Sequence, residues 1–325
     1  MPLIVSDVLT GAAETVPHRL GVTLGDERLT FGQMAERANR AAHALMGLGA
    51  GPGDRVVWWS DISLVGIDLY FGLSRIGAAF APLNPTAADD EVTAALEYLR
   101  PRLLVVDAAH AERAEPLAGD LGIPLVTAGA EGSGPGGDLT ALARAASPRP
   151  PSVPLPGEGV IATIFLTSGS TGRPKGVMIS QRATWLRTHA GAAPHTTSGG
   201  AGQVVMFPLF HMAGWNFASM AWSARQPAHL VRRAEAEELL GAVERWSAAT
   251  LYCIPAVWRR ILESDRRADG ASLEWALTGT SQVTTELLAG IKERFPGART
   301  TVNYGSTEVA RAVALADADL FARPG

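Results

Sequence analysis

The sequence predicts an α/β protein: two mainly parallel β-sheet lobes flanked by helices. Three observations carry this. Short β-rich runs alternate with helical patterns along most of the chain, as in Arg55–Trp59, Leu64–Ile76, Ala78–Leu83 and Asp89–Leu99. Several of the runs are apolar at nearly every position, as strands covered on both faces are. A glycine- and proline-dense stretch near 128–157 interrupts the rhythm and marks a boundary. The expected division is therefore a lobe over 1–150, ending in that linker, and a second over 158–325.

Residues 20–31 read as a strand hairpin turning at Gly25–Asp26. Thr30, with Gln33 three residues on, has capping-box spacing for a helix whose Met34, Ala38, Ala41, Leu45 and Leu48 share one face. Gly49 is a ready stop for it. Strands follow at Arg55–Trp59, Ala78–Leu83 and Leu103–Asp107, with helices at Leu64–Ile76 and Asp89–Leu99 between them. Beyond the linker, extended structure is expected at Val160–Leu166, Val177–Ser180, Val204–Pro208, His229–Val231, Thr250–Cys253, Trp275–Leu277 and Thr300–Asn303. The helices expected there are Arg182–His189, an apolar one ending at Trp222, Glu235–Trp246, Pro255–Glu263 and Thr284–Phe295.

Composition narrows the class. The 325 residues are 47% hydrophobic and 18% charged, enough for sizeable cores. A net charge of −4 gives no basic field for nucleic acid. One cysteine, Cys253, can neither staple the chain nor hold a metal alone, and its apolar setting marks it as a buried structural thiol. No signal-peptide pattern or 18-residue apolar run is present, so the expectation is a cytoplasmic protein away from the membrane.

The chemistry concentrates after predicted strands, at Thr167–Gly176, Gly279–Gln282 and Tyr304–Glu308. In an open parallel sheet that edge is where ligands bind. In T-S-G-S-T-G-R-P-K-G, small residues let backbone N–H groups turn inward, hydroxyls add donors and Lys175 adds a charge, which suits a polyphosphate. Gly rather than Ser or Thr follows Lys175, so the Walker pattern is excluded. Tyr304 can stack on a nucleobase, and Glu308 can hold Mg²⁺. Gly132, Gly134 and Gly137 spell G-x-G-x-x-G, but Pro135 lies inside and no helix opens from it, so it reads as linker.

These motifs, with P-L-F-H-M-A-G at 208–214 and N-Y-G-S-T-E at 303–308, resemble those of the adenylate-forming superfamily. That family comprises acyl-CoA synthetases, luciferases and peptide-synthetase adenylation domains. L-T-F-G-Q-M-A and S-R-I-G-A-A-F-A-P-L-N-P resemble its N-terminal motifs, so the likeness runs through essentially the whole chain. It implies the large N-terminal domain of such a ligase, which activates a carboxylic acid with ATP and passes the acyl-adenylate to CoA.

Residue by residue, the resemblance puts Thr167, Ser168, Ser170, Thr171 and Lys175 around the β- and γ-phosphates, with Gly169, Gly172 and Gly176 allowing close approach. It puts Gly279, Thr280 and Ser281 around the adenine, and Asn303 and Tyr304 on its edge and face, within the Gly305–Ser306 motif. Thr307 would meet the α-phosphate, and Glu308 would hold Mg²⁺. His211 becomes the gate of an acyl pocket walled by Phe210, Met212, Gly214, Trp215 and Asn216. Amino-acid-activating relatives usually place an aspartate after this phenylalanine to pair with the α-ammonium. Here His-Met-Ala follows, which points to an acid without an α-amino group. The family's ribose-gripping T-G-D aspartate, hinge and C-terminal domain with its adenylation lysine are not identifiable after Glu308. The expectation is thus an N-terminal portion that binds better than it turns over. Loading of a carrier protein and a non-catalytic scaffold are the competing readings, and a homodimer is compatible with each.

Overall fold

The structure, a computed structural model, describes residues 2–129, 137–167, 175–192, 201–266 and 270–322. In chain order the first elements are α1 (Ser6–Thr15), β1 (Leu20–Leu24), β2 (Glu27–Thr30), α2 (Phe31–Gly47), β3 (Arg55–Trp59), α3 (Leu64–Ile76) and β4 (Ala79–Leu83). Then come α4 (Asp89–Leu99), β5 (Leu103–Asp107), α5 (Ala108–Asp120), β6 (Leu125–Ala128), α6 (Leu139–Ala145), β7 (Ile161–Thr167), β8 (Lys175–Ser180) and α7 (Gln181–Ala192). The last are β9 (Gln203–Val205), α8 (Met212–Ser223), β10 (Ala228–Leu230), α9 (Ala236–Trp246), β11 (Thr250–Tyr252), α10 (Pro255–Glu263), β12 (Trp275–Gly279), α11 (Thr285–Arg294), β13 (Arg299–Ser306), β14 (Ala310–Ala316) and α12 (Asp317–Ala322). This is a mixed α/β fold with two mostly parallel sheets flanked by helices, as the sequence implied.

One compact unit takes residues 1–18, 31–186 and 209–211. Its six-stranded sheet runs β6-β5-β3-β4-β7-β8, parallel except for β8 at one edge. Burial on both faces explains why Val56–Trp59 and Leu103–Val106 are continuous apolar runs. Val57, Trp59, Leu83, Leu96, Leu104 and Val106 pack one core beneath α4 and α5. On the helical side, Arg37 of α2 makes a forked ion pair with Asp68 of α3, its Nη2 2.7 Å from Oδ2. Burial outweighs that partner and raises the Asp68 carboxyl to about 6. Gln181 ties the N-terminus down. Its Oε1 accepts from the Val5 amide and from the Ser74 hydroxyl, both at 2.9 Å.

The second unit takes 19–30, 187–208 and 212–325. Its eight-stranded sheet runs β14-β13-β12-β11-β9-β10-β1-β2, with antiparallel strands only at the two edges. Leu239, Leu240, Val243, Leu251, Trp258, Leu277 and Ile291 pack α9, α10 and α11 against it. Cys253 is fully buried here, as expected, and its surroundings push the thiol pKa well up.

Sheet membership does not follow the expected cut at 128–157. β1 precedes that stretch by a hundred residues, yet it pairs in parallel with β10 through Val22↔Ala228 and Leu24↔Leu230. β7 and β8 follow the stretch, yet they complete the six-stranded sheet. The helix α1, the pair α5–β6 and the strand β14 are additions to the sequence reading. Most of the G-x-G-x-x-G stretch lies outside the described residues.

Candidate functional site

In the first unit, the phosphate-loop candidates stand at the loop end of a hairpin. Thr167 closes β7, Lys175 opens β8, and the two are ladder partners. The Thr167 hydroxyl donates to the Lys175 carbonyl at 3.4 Å. Ser168, Gly169, Ser170, Thr171 and Gly172, between them, lie outside the described residues. The chain leaves the loop as an antiparallel strand, whereas a Walker loop leads into a helix. The sequence expected extended structure from Val177; the strand starts at Lys175. The loop end of the hairpin is held by Tyr98, whose hydroxyl accepts from the Gly176 amide at 3.3 Å. Also in this unit, the rings of Phe210 and His211 lie 4.3 Å apart. Desolvation lowers the His211 pKa, which favours a neutral imidazole at physiological pH.

In the second unit, the candidates collect at the carboxyl edge of β11, β12 and β13. Gly279 ends β12 with φ +151 and faces Asn303 in the ladder. A methyl group on Gly279 would lie 2.0 Å from the Asn303 carbonyl oxygen and 2.6 Å from the Tyr252 hydroxyl, so only glycine fits. Thr280, next in line, holds φ +72 without being glycine, a strained backbone of the kind that collects at functional sites. It and Ser281 are exposed. The Asn303 side chain is 7% exposed, and neither Oδ1 nor Nδ2 has a hydrogen-bond partner. A buried amide with both ends unpaired is costly in a folded core. Beside it the Tyr304 ring is 72% exposed.

One expectation needs correcting. Tyr304–Glu308 is not a loop following a strand: β13 continues to Ser306, and only Thr307–Val309 form the turn into β14. The reason is β14 itself, which pairs with β13 as far as Ser306↔Ala310, beyond the point where the parallel partner β12 ends. Gly305 sits at the register shift of that hairpin, its backbone against Ala310. The turn is tied down by Arg187, whose guanidinium donates to the carbonyls of Thr307 (3.4 Å) and Glu308 (3.0 Å). The Glu308 carboxylate is exposed, and a hydrogen bond from Ser306 holds its pKa below the usual glutamate value.

Among the described residues no group of three His, Cys, Asp or Glu side chains converges as a metal cage. A lone ionised carboxylate in a tethered turn is the donor set Mg²⁺ uses when substrate phosphates supply other ligands. Glu308 therefore fits the metal role on its own chemistry.

The acyl-pocket candidates divide. Met212 and Asn216, on α8, are partly exposed, and the Asn216 Oδ1 has no partner. Trp215 is 2% exposed and packs inward. Gly214 is a packing position, since a methyl there would lie 2.5 Å from the Pro208 carbonyl oxygen. Sequence reasoning missed Tyr252, Arg187 and Tyr98. Only Tyr252 carried a signal, as the last residue of an apolar strand at the same edge as the motifs.

Residues 9–324 match the AMP-binding enzyme family. A feruloyl-CoA synthase of Amycolatopsis sp. is 29% identical over 309 residues, 94% of this chain and 60% of that protein. Tyrocidine synthase 2 of Brevibacillus parabrevis is 26% identical over 310 residues, 93% of this chain and 8% of that protein. In fold, the inhibitor-bound N-terminal domain of FACL13 from Mycobacterium tuberculosis superposes with a TM-score of 0.87 at 20% identity, covering 98% of this chain and 80% of that one. The chain thus spans less than two thirds of the length of the curated relatives it matches first.

Proposed function

The chain belongs to the AMP-binding enzyme family, and from that premise we propose that it joins ATP to a carboxylic acid lacking an α-amino group. The product is an acyl-adenylate, which the whole enzyme passes to CoA. The observation that carries this is Tyr304, an aromatic ring left 72% exposed at the carboxyl edge of the sheet, near the strained backbone of Thr280. The face of a purine stacks on such a ring.

The substrate carboxylate attacks the α-phosphorus in line, a P–O bond forms, and the bond to pyrophosphate breaks with its electrons leaving on the pyrophosphate oxygen. Lys175 and the Thr167–Gly176 hydroxyls and amides neutralise the departing charge, Thr307 binds the α-phosphate, and Glu308 would hold Mg²⁺. Mg²⁺ held there would supply positive charge against the phosphates. A neutral His211 orients the carboxylate by hydrogen bonding. In the second step the CoA thiol gives its proton to solvent and attacks the acyl carbon; the C–S bond forms and the acyl C–O bond breaks, its electrons leaving on the AMP phosphate.

The likeness to tyrocidine synthase 2 favours a second reading, transfer of the adenylate to a carrier protein. The absence of a carboxylate after Phe210 speaks against an amino acid as the substrate in either case.

Titration calorimetry with a non-hydrolysable acyl-adenylate analogue tests the reading. Binding should be measurable and should weaken about fivefold or more in Tyr304→Ala, which forfeits base stacking. The melting temperature of that variant should stay put, because the ring is 72% exposed. No heat with the wild-type chain would point to a non-catalytic scaffold instead.

A further inference from the structure

Tyr252 closes β11 and is only 5% exposed. Two rings grip it: Phe207, after β9, at 5.1 Å between centroids, and Phe217, on α8, at 4.7 Å. Those rings stack on each other 5.6 Å apart and 12° from parallel, and the tyrosine packs tilted against both. Its hydroxyl lies against the backbone of Gly279, in the space where any other residue would carry a side chain.

The hydroxyl has no hydrogen-bond partner among the described residues. It is also absent from the sealed, unpaired polar atoms of the core, so its oxygen opens on a surface. A buried tyrosine normally finds a partner for its O–H. Phenylalanine would make the same ring contacts without leaving a donor unpaired. Burial raises the phenol pKa, so the group stays protonated and able to donate at neutral pH.

Resting on the reading above that this chain activates a carboxylic acid, we propose that Tyr252 is a specificity-determining residue. Its hydroxyl donates a hydrogen bond to an oxygen substituent on the non-reacting part of the acid. The preferred substrates are then hydroxy-, methoxy- or oxo-substituted acids rather than plain hydrocarbon ones. An ammonium group cannot serve, since it has no lone pair to accept with. The acid is the partner because the gripping rings come from the segment after β9 and from α8, where the acyl site is assigned. Gly279, which the hydroxyl also lies against, is assigned to the base, so the affinity for ATP separates the two.

The test is Tyr252→Phe in the 325-residue chain, with calorimetric titration of matched acids in the presence of ATP. Suitable pairs are cinnamic with 4-methoxycinnamic acid, and octanoic with 8-hydroxyoctanoic acid. The wild type should prefer the oxygenated member of at least one pair. Tyr252→Phe should weaken that member about 2- to 13-fold, the worth of one net hydrogen bond, and leave the plain acid unchanged. ATP affinity should hold, and the melting temperature should hold or rise.

Three results would overturn the inference: a preference that survives the substitution, a loss of ATP rather than acid affinity, or a melting temperature lowered by several degrees. The last would mean the hydroxyl is bonded within the fold. Failure of the broader reading looks different, because then neither ATP nor any acid binds the wild-type chain and both proposals fall together.

Discussion

Replacing Gly279 with alanine puts the geometry of the β12–β13 edge to a direct test. The new methyl carbon would sit 2.0 Å from the Asn303 carbonyl oxygen. That oxygen belongs to the neighbouring strand, where Gly279 and Asn303 are ladder partners, so it cannot retreat without disturbing the ladder. The second obstacle, the Tyr252 hydroxyl at 2.6 Å, is pinned by Phe207 and Phe217. Two costs combine. Holding a side-chain-bearing residue at φ +151 costs about 1–3 kcal/mol. Overpacking a rigid site costs about 1–3 kcal/mol more. Gly279→Ala should therefore lose about 2–6 kcal/mol, read as a lowered denaturation midpoint with an unchanged slope in urea. Binding of an acyl-adenylate analogue should fall with it, because the distortion is centred on Asn303. A variant within about 0.5 kcal/mol of wild type, the scatter of an ordinary surface change, would refute the idea that the backbone is fixed here.

Other perturbations follow from the same structure. Gly214→Ala, aimed at the Pro208 carbonyl 2.5 Å away, should cost about 1–3 kcal/mol in urea unfolding; a neutral effect would mean α8 can slide freely. Arg187→Ala unties Thr307 and Glu308, so affinity for Mg²⁺–ATP in calorimetry should fall about 3- to 10-fold with little change in melting temperature; unchanged affinity would separate the turn from the nucleotide. The third concerns pH. Asp68, raised to about 6 in the fold from 3.8, binds its proton more tightly when folded, so its contribution is fully present below pH 3.8 and is lost as pH rises through 6. His229, lowered to about 4 by burial, does the reverse: its contribution is present above pH 6.5 and is lost as pH falls through 4. Each is worth about 3 kcal/mol at most. Asp68→Asn should leave the acid loss unopposed, so its stability falls more steeply than wild type between pH 6.5 and 4; parallel curves would show that Asp68 does not titrate in that range.

The parallel strands were legible because burial on both faces writes itself into sequence as unbroken apolar runs, as in Val56–Trp59 and Leu103–Val106. The motif residues were legible too, since glycines and hydroxyls at fixed spacing are local signals. Pairing is not local. Nothing in L-G-V-T-L announces that it will lie beside Ala228–Leu230, and nothing in A-R-A-V-A-L-A announces a partner that prolongs β13 through Ser306. Unpaired polar atoms are equally invisible in sequence. Asn303 reads as one more polar residue until its neighbours are placed, and Tyr252 as one more core aromatic. Trp215, by contrast, looked like a pocket wall because its helix face cannot be told from spacing alone, and it turns inward.

The pairing of β1 with β10 sets conditions on how the chain can be made and divided. Thr23 and His229, bonded at 3.0 Å, are 206 positions apart, so closing this part of the sheet must wait until most of the chain has been synthesised. Until then β1 presents an unpaired edge, open to pairing with another copy. A C-terminal fragment cut at the glycine- and proline-rich stretch would leave the β10 edge exposed permanently, and with it His229 without its threonine. Gene fusions or split versions of this protein should therefore carry residues 19–30 with the C-terminal piece, whatever else they leave behind.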